Sequence, residues 1–531
     1  MGMTLTPLRE PITLSLVQAN MSSNRRVNSV IVCLLLAVAS ALFAYAARHD
    51  QCWVGWRATA LETWREVGYW NLHGHPAVNP GGIRVGEKPD SYVAYRAFSL
   101  VPVYWLYLLT SDFNTSLTAV YLLLTLVLGV TIWWFLGRSP WALLVTSAFC
   151  LSPGYVRQTA TEWEPLPVAT LIGTLVVMAL VRYITAPSQS RARGLVVLAL
   201  VVVYSQIEWA TCFALGIGWA ACGVLLWPTK RRQFMLFTVI VLCLVTTSAL
   251  ALMWQKSGGG AGALETLSTY TIGARGYDRR PMSWPLALKR LGTVFAIGLL
   301  PLWIVFLATA WPSLRRAPRR TLIACLPLCA AGLEVLILRN YLAHHQWGPL
   351  PVIALGILLS LYLLRRAAVP SVTPSDAAPT APLWSAHAIQ LFVIGATLYC
   401  LVVLSIFRAN DAEVQSLARL VTTNTPRHAL IVVGTDLGRV MDAVDMEKLL
   451  DRRCVAMGAP LPPNGGDLSG AGTYLINSVP LPGLGPLVAQ STATKGVVVT
   501  KLLGWYRTKI SRKNFRLQEV ETFYLYRLES H

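Results

Sequence analysis

Apolar segments, most of them close to the roughly 20 residues that a bilayer-crossing helix needs, recur along the first 407 positions of the chain. The pattern predicts a mainly α-helical, polytopic membrane bundle. The predicted segments cover residues 28–47, 97–111, 116–136, 139–152, 166–184, 194–207, 210–227, 235–254, 286–310, 321–338, 349–364 and 383–407.

Basic residues cluster at the ends of these segments, and the clusters alternate with stretches that contain the acids and histidines. The clusters are Arg25–Arg26, Arg191 with Arg193, Lys230–Arg232, Arg315–Arg320 and Arg365–Arg366. Short basic loops stay in the cytoplasm, so all five clusters are expected on that side. Residues 97–152 must then begin and end outside, which allows two crossings and one partial segment. The prediction is therefore eleven crossings plus a partial segment.

Composition agrees with a membrane protein and limits the partners. Hydrophobic residues make up 54% of the chain and charged residues only 13%, a ratio that a soluble protein of this length cannot solvate. The net charge of +20 would suit nucleic acid, but the basic residues lie beside apolar segments. Topology and anionic membrane lipids explain that placement, so nucleic acid is not expected as a partner.

The pattern divides the chain into three parts. Residues 1–27 are a predicted cytoplasmic extension, and residues 28–407 are a transmembrane module with large outer loops at 48–96 and 255–285. Residues 408–531 change in character, because short apolar runs at 430–434, 473–477 and 518–528 read as strands. They predict a small extracytoplasmic α/β domain.

Two groups of acids follow predicted crossings on the outer side. Asp50 comes directly after the first segment, where a carboxylate could accept a proton or hold a divalent metal, and the residues leave both open. Glu162 and Glu164 precede a predicted helix start at Pro165, where acids also stabilise a helix N-terminus. Arg157 lies just before them and could pair with a phosphate.

Two further groups could bind an anion. Arg339 is followed by the adjacent His344 and His345 in a short outer loop, and these cations suit a lipid phosphate. Arg279 and Arg280 lie in the long loop 255–285, which is either solvated or a basic lid over an anionic headgroup.

The layout resembles the GT-C class of integral-membrane glycosyltransferases, which includes protein mannosyltransferases, the aminoarabinose transferase and the oligosaccharyltransferase catalytic subunit. The similar features are an acid after the first segment, Trp56-Arg57-Ala58-Thr59 in a predicted interfacial helix, Gly68-Tyr69-Trp70, Glu87-Lys88-Pro89 before Tyr104-Trp105, Ser152-Pro153 followed by an arginine and acids, and Arg339 to His344 before Pro349.

This resemblance implies a transferase that moves a sugar from a polyprenyl-phosphate donor to a lipid, glycan or protein acceptor outside a bacterial inner membrane. It implies that Asp50 and one of Glu162 and Glu164 are catalytic, with the metal left open. The donor phosphate would be held by Arg157, Arg279, Arg280, Arg339, His344 and His345. The alternatives are a transporter or flippase of lipid-linked saccharides and a non-catalytic membrane scaffold.

Overall fold

The protein is mainly helical and ends in a small β-sheet. The computed structural model describes residues 33–46, 55–72, 74, 77, 79, 81, 100–161, 166–185, 191–226, 231–257, 283–285, 288, 292, 297–337, 350–367, 386–434, 450, 452–457, 472–478, 480–481, 485–496 and 518–528.

Described helices overlap every predicted apolar segment, although several have different bounds. They are α1 Cys33–Ala46, α2 Gly55–Val67, α3 Leu100–Thr110, α4 Phe113–Phe135, α5 Pro140–Cys150, α6 Pro153–Thr161, α7 Leu166–Thr185, α8 Arg191–Leu226, α9 Arg231–Ser257, α10 Leu300–Arg316, α11 Pro318–Ala324, α12 Leu326–Ile337, α13 Leu350–Ala367 and α14 Ala386–Asn424.

Among the described residues, three helices are long and apolar enough to cross a membrane, fewer than the eleven crossings predicted. The three candidate spans are Phe113–Phe135, Arg231–Ser248 and His387–Ser405. Several other predicted segments are shorter helices in the structure. Helices α3 and α5 have 11 residues each, which corresponds to about 16 Å against a hydrocarbon core of about 30 Å. Two of the three segments in 97–152 are therefore shorter than a crossing needs, where the prediction had one partial segment.

The segments predicted at 194–207 and 210–227 form one helix, so the predicted break between them is wrong. Helix α8 runs without interruption over 36 residues. The polar residues around Glu208 lower the local hydropathy, but no proline or glycine lies between Gly194 and Gly216 to end a helix. The parity count assumed two crossings here, so it no longer determines the side of residues 408–531.

The last helix joins the bundle to the sheet. Helix α14 has 39 residues and continues well past position 407, so the predicted boundary falls inside it. Its final turns pack on the sheet through Leu417 and Val421, which share a buried cluster with Ile431, Ile476 and Phe523. The hydroxyls of Ser416 and Ser491 are also hydrogen-bonded at 2.6 Å.

The sheet has five strands in the order β2-β1-β3-β5-β4. The first three strands are parallel, and β5 and β4 join them in antiparallel fashion. The predictions at 430–434, 473–477 and 518–528 are confirmed as β1, β3 and β5, whereas β2 and β4 were not predicted. The strands are β1 Leu430–Val433, β2 Arg453–Ala456, β3 Thr473–Asn477, β4 Leu487–Gly496 and β5 Gln518–Leu528.

Five helices meet at one end of the bundle through arginine and aromatic contacts. Arg365 of α13 donates a hydrogen bond to Ser139, the N-cap of α5, and lies over the ring of Trp141. The Trp141 indole donates to Thr309 of α10, and Arg182 of α7 lies over Trp134 of α4. We call this end, with Arg138, Arg182, Arg315, Arg316 and Arg365, the basic end.

Candidate functional site

Helix α2 lies where an interfacial helix was predicted, and its sequence explains both its extent and its orientation. Ala58, Ala60 and Leu61 favour a helix, and the chain leaves it at Gly68, whose φ of 98° suits glycine. One face is buried, including Leu61 and Trp64, which are both fully inaccessible. Arg65 and Glu66, in the last turn of the helix, are exposed.

A carboxylate, a phenol and a guanidinium meet between α2 and α3. The hydroxyl of Tyr107 donates to Glu62 Oε1, and Arg65 Nη2 lies 2.7 Å from Glu62 Oε2. The Arg65 guanidinium also lies 5.7 Å from the centre of the Tyr107 ring. The Glu62 carboxylate therefore lies between a phenol hydroxyl and a guanidinium on a half-buried surface.

An aromatic cluster supports this group from the side of the bundle. Trp64 packs edge to face with Tyr69 and Tyr104, with ring centres 5.0 and 5.5 Å apart. The Tyr104 hydroxyl donates to the carbonyl of Trp64 at 3.2 Å. Trp70 is 75% exposed, as suits an indole in the headgroup layer. The cluster fixes α2 against α3.

Arg427, in the turn between α14 and β1, contacts α2 at two points. Its Nη1 donates to Glu66 Oε1 at 2.5 Å, and its Nη2 donates to the carbonyl of Thr59 at 3.3 Å. The Arg427 side chain is 16% exposed and that of Glu66 is 34% exposed, so solvent screens the pair only in part. The sheet is thus attached to the same helix that carries Glu62.

A second contact lies one residue further along the chain. The ring N–H of His428 at Nδ1 donates to the carbonyl of Gly81 at 2.5 Å. Gly81 has a φ of 72°, and a side chain there would begin 3.0 Å from the carbonyl oxygen of Arg427. Both the backbone conformation and the available space therefore require glycine at this position.

This group of residues lies at the opposite end of α4 from the basic end. Thr110, which closes α3, is hydrogen-bonded to Ser116 in the first turn of α4, and Tyr107 is three residues before it. Trp134, which contacts Arg182, lies in the last turn of α4. The 23 residues of α4 separate the two ends by roughly 30 Å, about the thickness of a hydrocarbon core.

Of the residues predicted to act on substrate, the structure describes Arg157. It lies on α6, is 7% exposed, and neighbours the buried Tyr155 and Val156. Arg57, in the Trp56–Thr59 motif of α2, is a second buried arginine, 2% exposed. Burying a guanidinium is costly unless its charge is neutralised or hydrogen-bonded, and each of these two arginines makes at least one interaction with its surroundings. The predicted residues outside the described part of the chain are Asp50, Glu162, Glu164, Arg279, Arg280, Arg339, His344 and His345.

Within the described residues, no group of three histidine, cysteine or acidic side chains could hold a metal ion. Asp50, for which the sequence left a metal-ligand role open, lies outside that part of the chain, as do the predicted catalytic acids Glu162 and Glu164. The residues that the structure brings together, Glu62, Glu66, Tyr107 and Arg427, were not predicted as a group. The only local signal for them was the charged face of α2.

No known protein family matches this sequence, and no curated protein matches it either.

Proposed function

We propose that the protein is a GT-C-type glycosyltransferase of a bacterial inner membrane. It would transfer a sugar from a polyprenyl-phosphate donor to a lipid, glycan or protein acceptor on the outer side. The observation that carries this proposal is the buried Arg157 on α6, five residues before the acid Glu162 in the chain. A cation in a buried, low-dielectric environment would stabilise the departing lipid phosphate, and a carboxylate near it would activate the acceptor hydroxyl. The transfer reaction requires both groups.

The arrangement of the helix ends supports an outer location for this chemistry. The arginines of the basic end indicate the cytoplasmic side. Helix α7 begins at Leu166, two residues after Glu164, and reaches the basic end at Arg182. Its 20 residues extend about 30 Å, so the start of α7 lies toward the outer side.

The same reasoning favours an outer location for α2 and for the sheet. Arg427 attaches the β1 side of the chain to α2, whose Glu62 contacts Tyr107 at the far end of α4 from the arginines. In this arrangement α2 would lie in the outer headgroup layer. Asp50, five residues before α2 begins, would be the catalytic base or a metal ligand.

The donor phosphate would be held by several cations acting together. Arg157 would provide the buried contact, and Arg339 with His344 and His345 would approach from the loop before α13. Arg279 and Arg280 would cover the headgroup from the long outer loop. Arginine suits this role because its planar fork donates two parallel hydrogen bonds to one phosphate.

The test is sugar transfer by membranes that contain the full-length protein, supplied with a panel of radiolabelled polyprenyl-phosphate sugars. We expect Asp50→Asn to lower transfer by roughly 10²-fold or more, the scale of lost acid–base catalysis. Asp112→Asn serves as the matched control, because Asp112 is an exposed helix cap. If the wild-type protein transfers none of the sugars, the proposal fails; a protein that acts as a flippase or scaffold would behave in this way.

A further inference from the structure

At the basic end, three arginine side chains lie over tryptophan rings. The Arg182 guanidinium carbon lies 4.2 Å from the ring centre of Trp134, that of Arg365 lies 4.8 Å from Trp141, and that of Arg315 lies 5.0 Å from Trp311. All three arginines are exposed, and Trp134 and Trp311 are 41% and 59% exposed. Each guanidinium thus lies over an indole ring at the surface of the bundle.

Contacts between helices bring these stacked pairs to one place. The rings of Phe135 and Tyr362 stack at 4.8 Å, which joins the end of α4 to the end of α13. Arg365 donates to Ser139 at 2.8 Å, and the Trp141 indole donates to Thr309 at 3.5 Å, which adds α5 and α10. The arginines therefore belong to one surface rather than to isolated helix ends.

No acid balances this charge within the five helices that build the basic end. Helices α4, α5, α7, α10 and α13 contain no aspartate or glutamate. By contrast, the α2 end carries Glu62 and Glu66, each paired with an arginine. The five helices together therefore carry a net positive charge, which favours an anionic partner.

We propose that the basic end binds the phosphate headgroups of anionic phospholipids in the adjoining leaflet. An arginine stacked on an indole keeps its N–H donors in the plane of the guanidinium, directed past the ring edge toward headgroup oxygens. The indoles suit the same depth, because tryptophan prefers the boundary between hydrocarbon and headgroup. The acyl chains would lie against the acid-free apolar helices. This inference does not depend on the proposed transferase activity.

The test uses purified full-length protein in a neutral detergent, titrated with short-chain phosphatidylglycerol, short-chain phosphatidylcholine or inorganic phosphate. Bound lipid is counted by native mass spectrometry, and the thermal unfolding temperature is followed in parallel. We expect phosphatidylglycerol to bind more tightly than phosphatidylcholine and to raise the unfolding temperature. If inorganic phosphate competes as strongly as the lipid, the site binds a free anion and the lipid proposal is overturned.

Two sets of variants distinguish a binding site with a specific geometry from a general attraction between opposite charges. Replacing Arg182, Arg315 and Arg365 together by alanine should weaken phosphatidylglycerol binding by on the order of 100-fold, or about five-fold for each residue. The triple lysine variant keeps the charge but loses the planar fork, so it should also bind more weakly than wild type. Arg419→Lys, on the exposed face of α14 beyond the candidate span, is the control. If the lysine variant binds phosphatidylglycerol as tightly as wild type, the arginines do not form a specific headgroup site and the proposal is wrong.

Discussion

Arg427 connects two regions of the chain that are far apart in sequence. Its partner Glu66 lies 361 positions away, and Thr59 lies 368 positions away. Because Arg427 follows Pro426 in a turn, its position is set by the end of α14 and the start of β1. The Arg427 side chain thus connects helix α2 to the turn that leads into the sheet.

We predict that Arg427→Ala will loosen this connection, because it removes both hydrogen bonds and leaves Glu66 without this cation. A partly buried charged pair of this kind contributes about 1 to 2 kcal/mol. Glu66→Gln should cost less, and the double variant should be little worse than Arg427→Ala alone, since neighbouring residues are not additive. Thermal unfolding of the purified protein in detergent measures the three variants. Fully additive losses would mean that the two side chains act independently.

This connection could not be predicted from the sequence, and the reason is physical. Periodicity identified α2 and β1 because each depends on residues close together in the chain. The pairing of Arg427 with Glu66 depends instead on how the whole bundle folds. The same holds for Tyr107 and Glu62, which lie 45 positions apart on different helices.

At the scale of elements, α8 and α9 pack closely because α8 has a glycine, Gly223, where the two helices meet. A side chain at Gly223 would begin 1.9 Å from Phe234 Cδ1, and Phe234 is only 1% exposed, so its ring has no space to move into. The backbones of the two helices approach each other as small residues allow in membrane proteins.

We therefore predict that Gly223→Ala will destabilise the protein by about 1 to 3 kcal/mol, the cost of forcing extra volume into a packed interface. Gly395→Ala is the matched control, because Gly395 lies inside α14 and a side chain there would meet nothing within 4 Å. It should be neutral or stabilising, since alanine favours a helix by about 1 kcal/mol over glycine. The measurement is the unfolding temperature of each variant in the same detergent. Equal shifts for both substitutions would contradict the packing account.

Helices and strands were predicted correctly where neighbouring residues in the sequence form a clear apolar pattern. Strand β1 is apolar throughout because it lies between two parallel neighbours, and such runs are easy to recognise. Strand β4, with Gln490, Thr492 and Thr494 along it, lies at the sheet edge and lacks that signal. The break expected at Glu208 was wrong because a polar residue lowers hydropathy without ending a helix.

At the scale of the whole molecule, charge is divided between two ends. The arginines Arg182, Arg315 and Arg365 stack on tryptophans at one end, and Glu62 and Glu66 are paired at the other. Helix α4 extends between the two ends and is itself a candidate span. The positions of the arginines in the sequence predicted a basic end for each helix separately. That these ends form a single surface could be seen only from the contacts between helices.

This division predicts the orientation of the chain in the membrane. Positive loops resist translocation, so the basic end should lie in the cytoplasm, and the sheet, attached to α2 through Arg427, should lie outside. We expect alkaline phosphatase fused after His531 to be active, because that enzyme folds only outside the cytoplasm. Green fluorescent protein fused after Ser188, close to Arg182 and Arg191, should fluoresce. An inactive phosphatase combined with a fluorescent protein after His531 would place the sheet in the cytoplasm. Since Asp50 and α2 are expected on the side of the sheet, that result would also exclude transfer on the outer side.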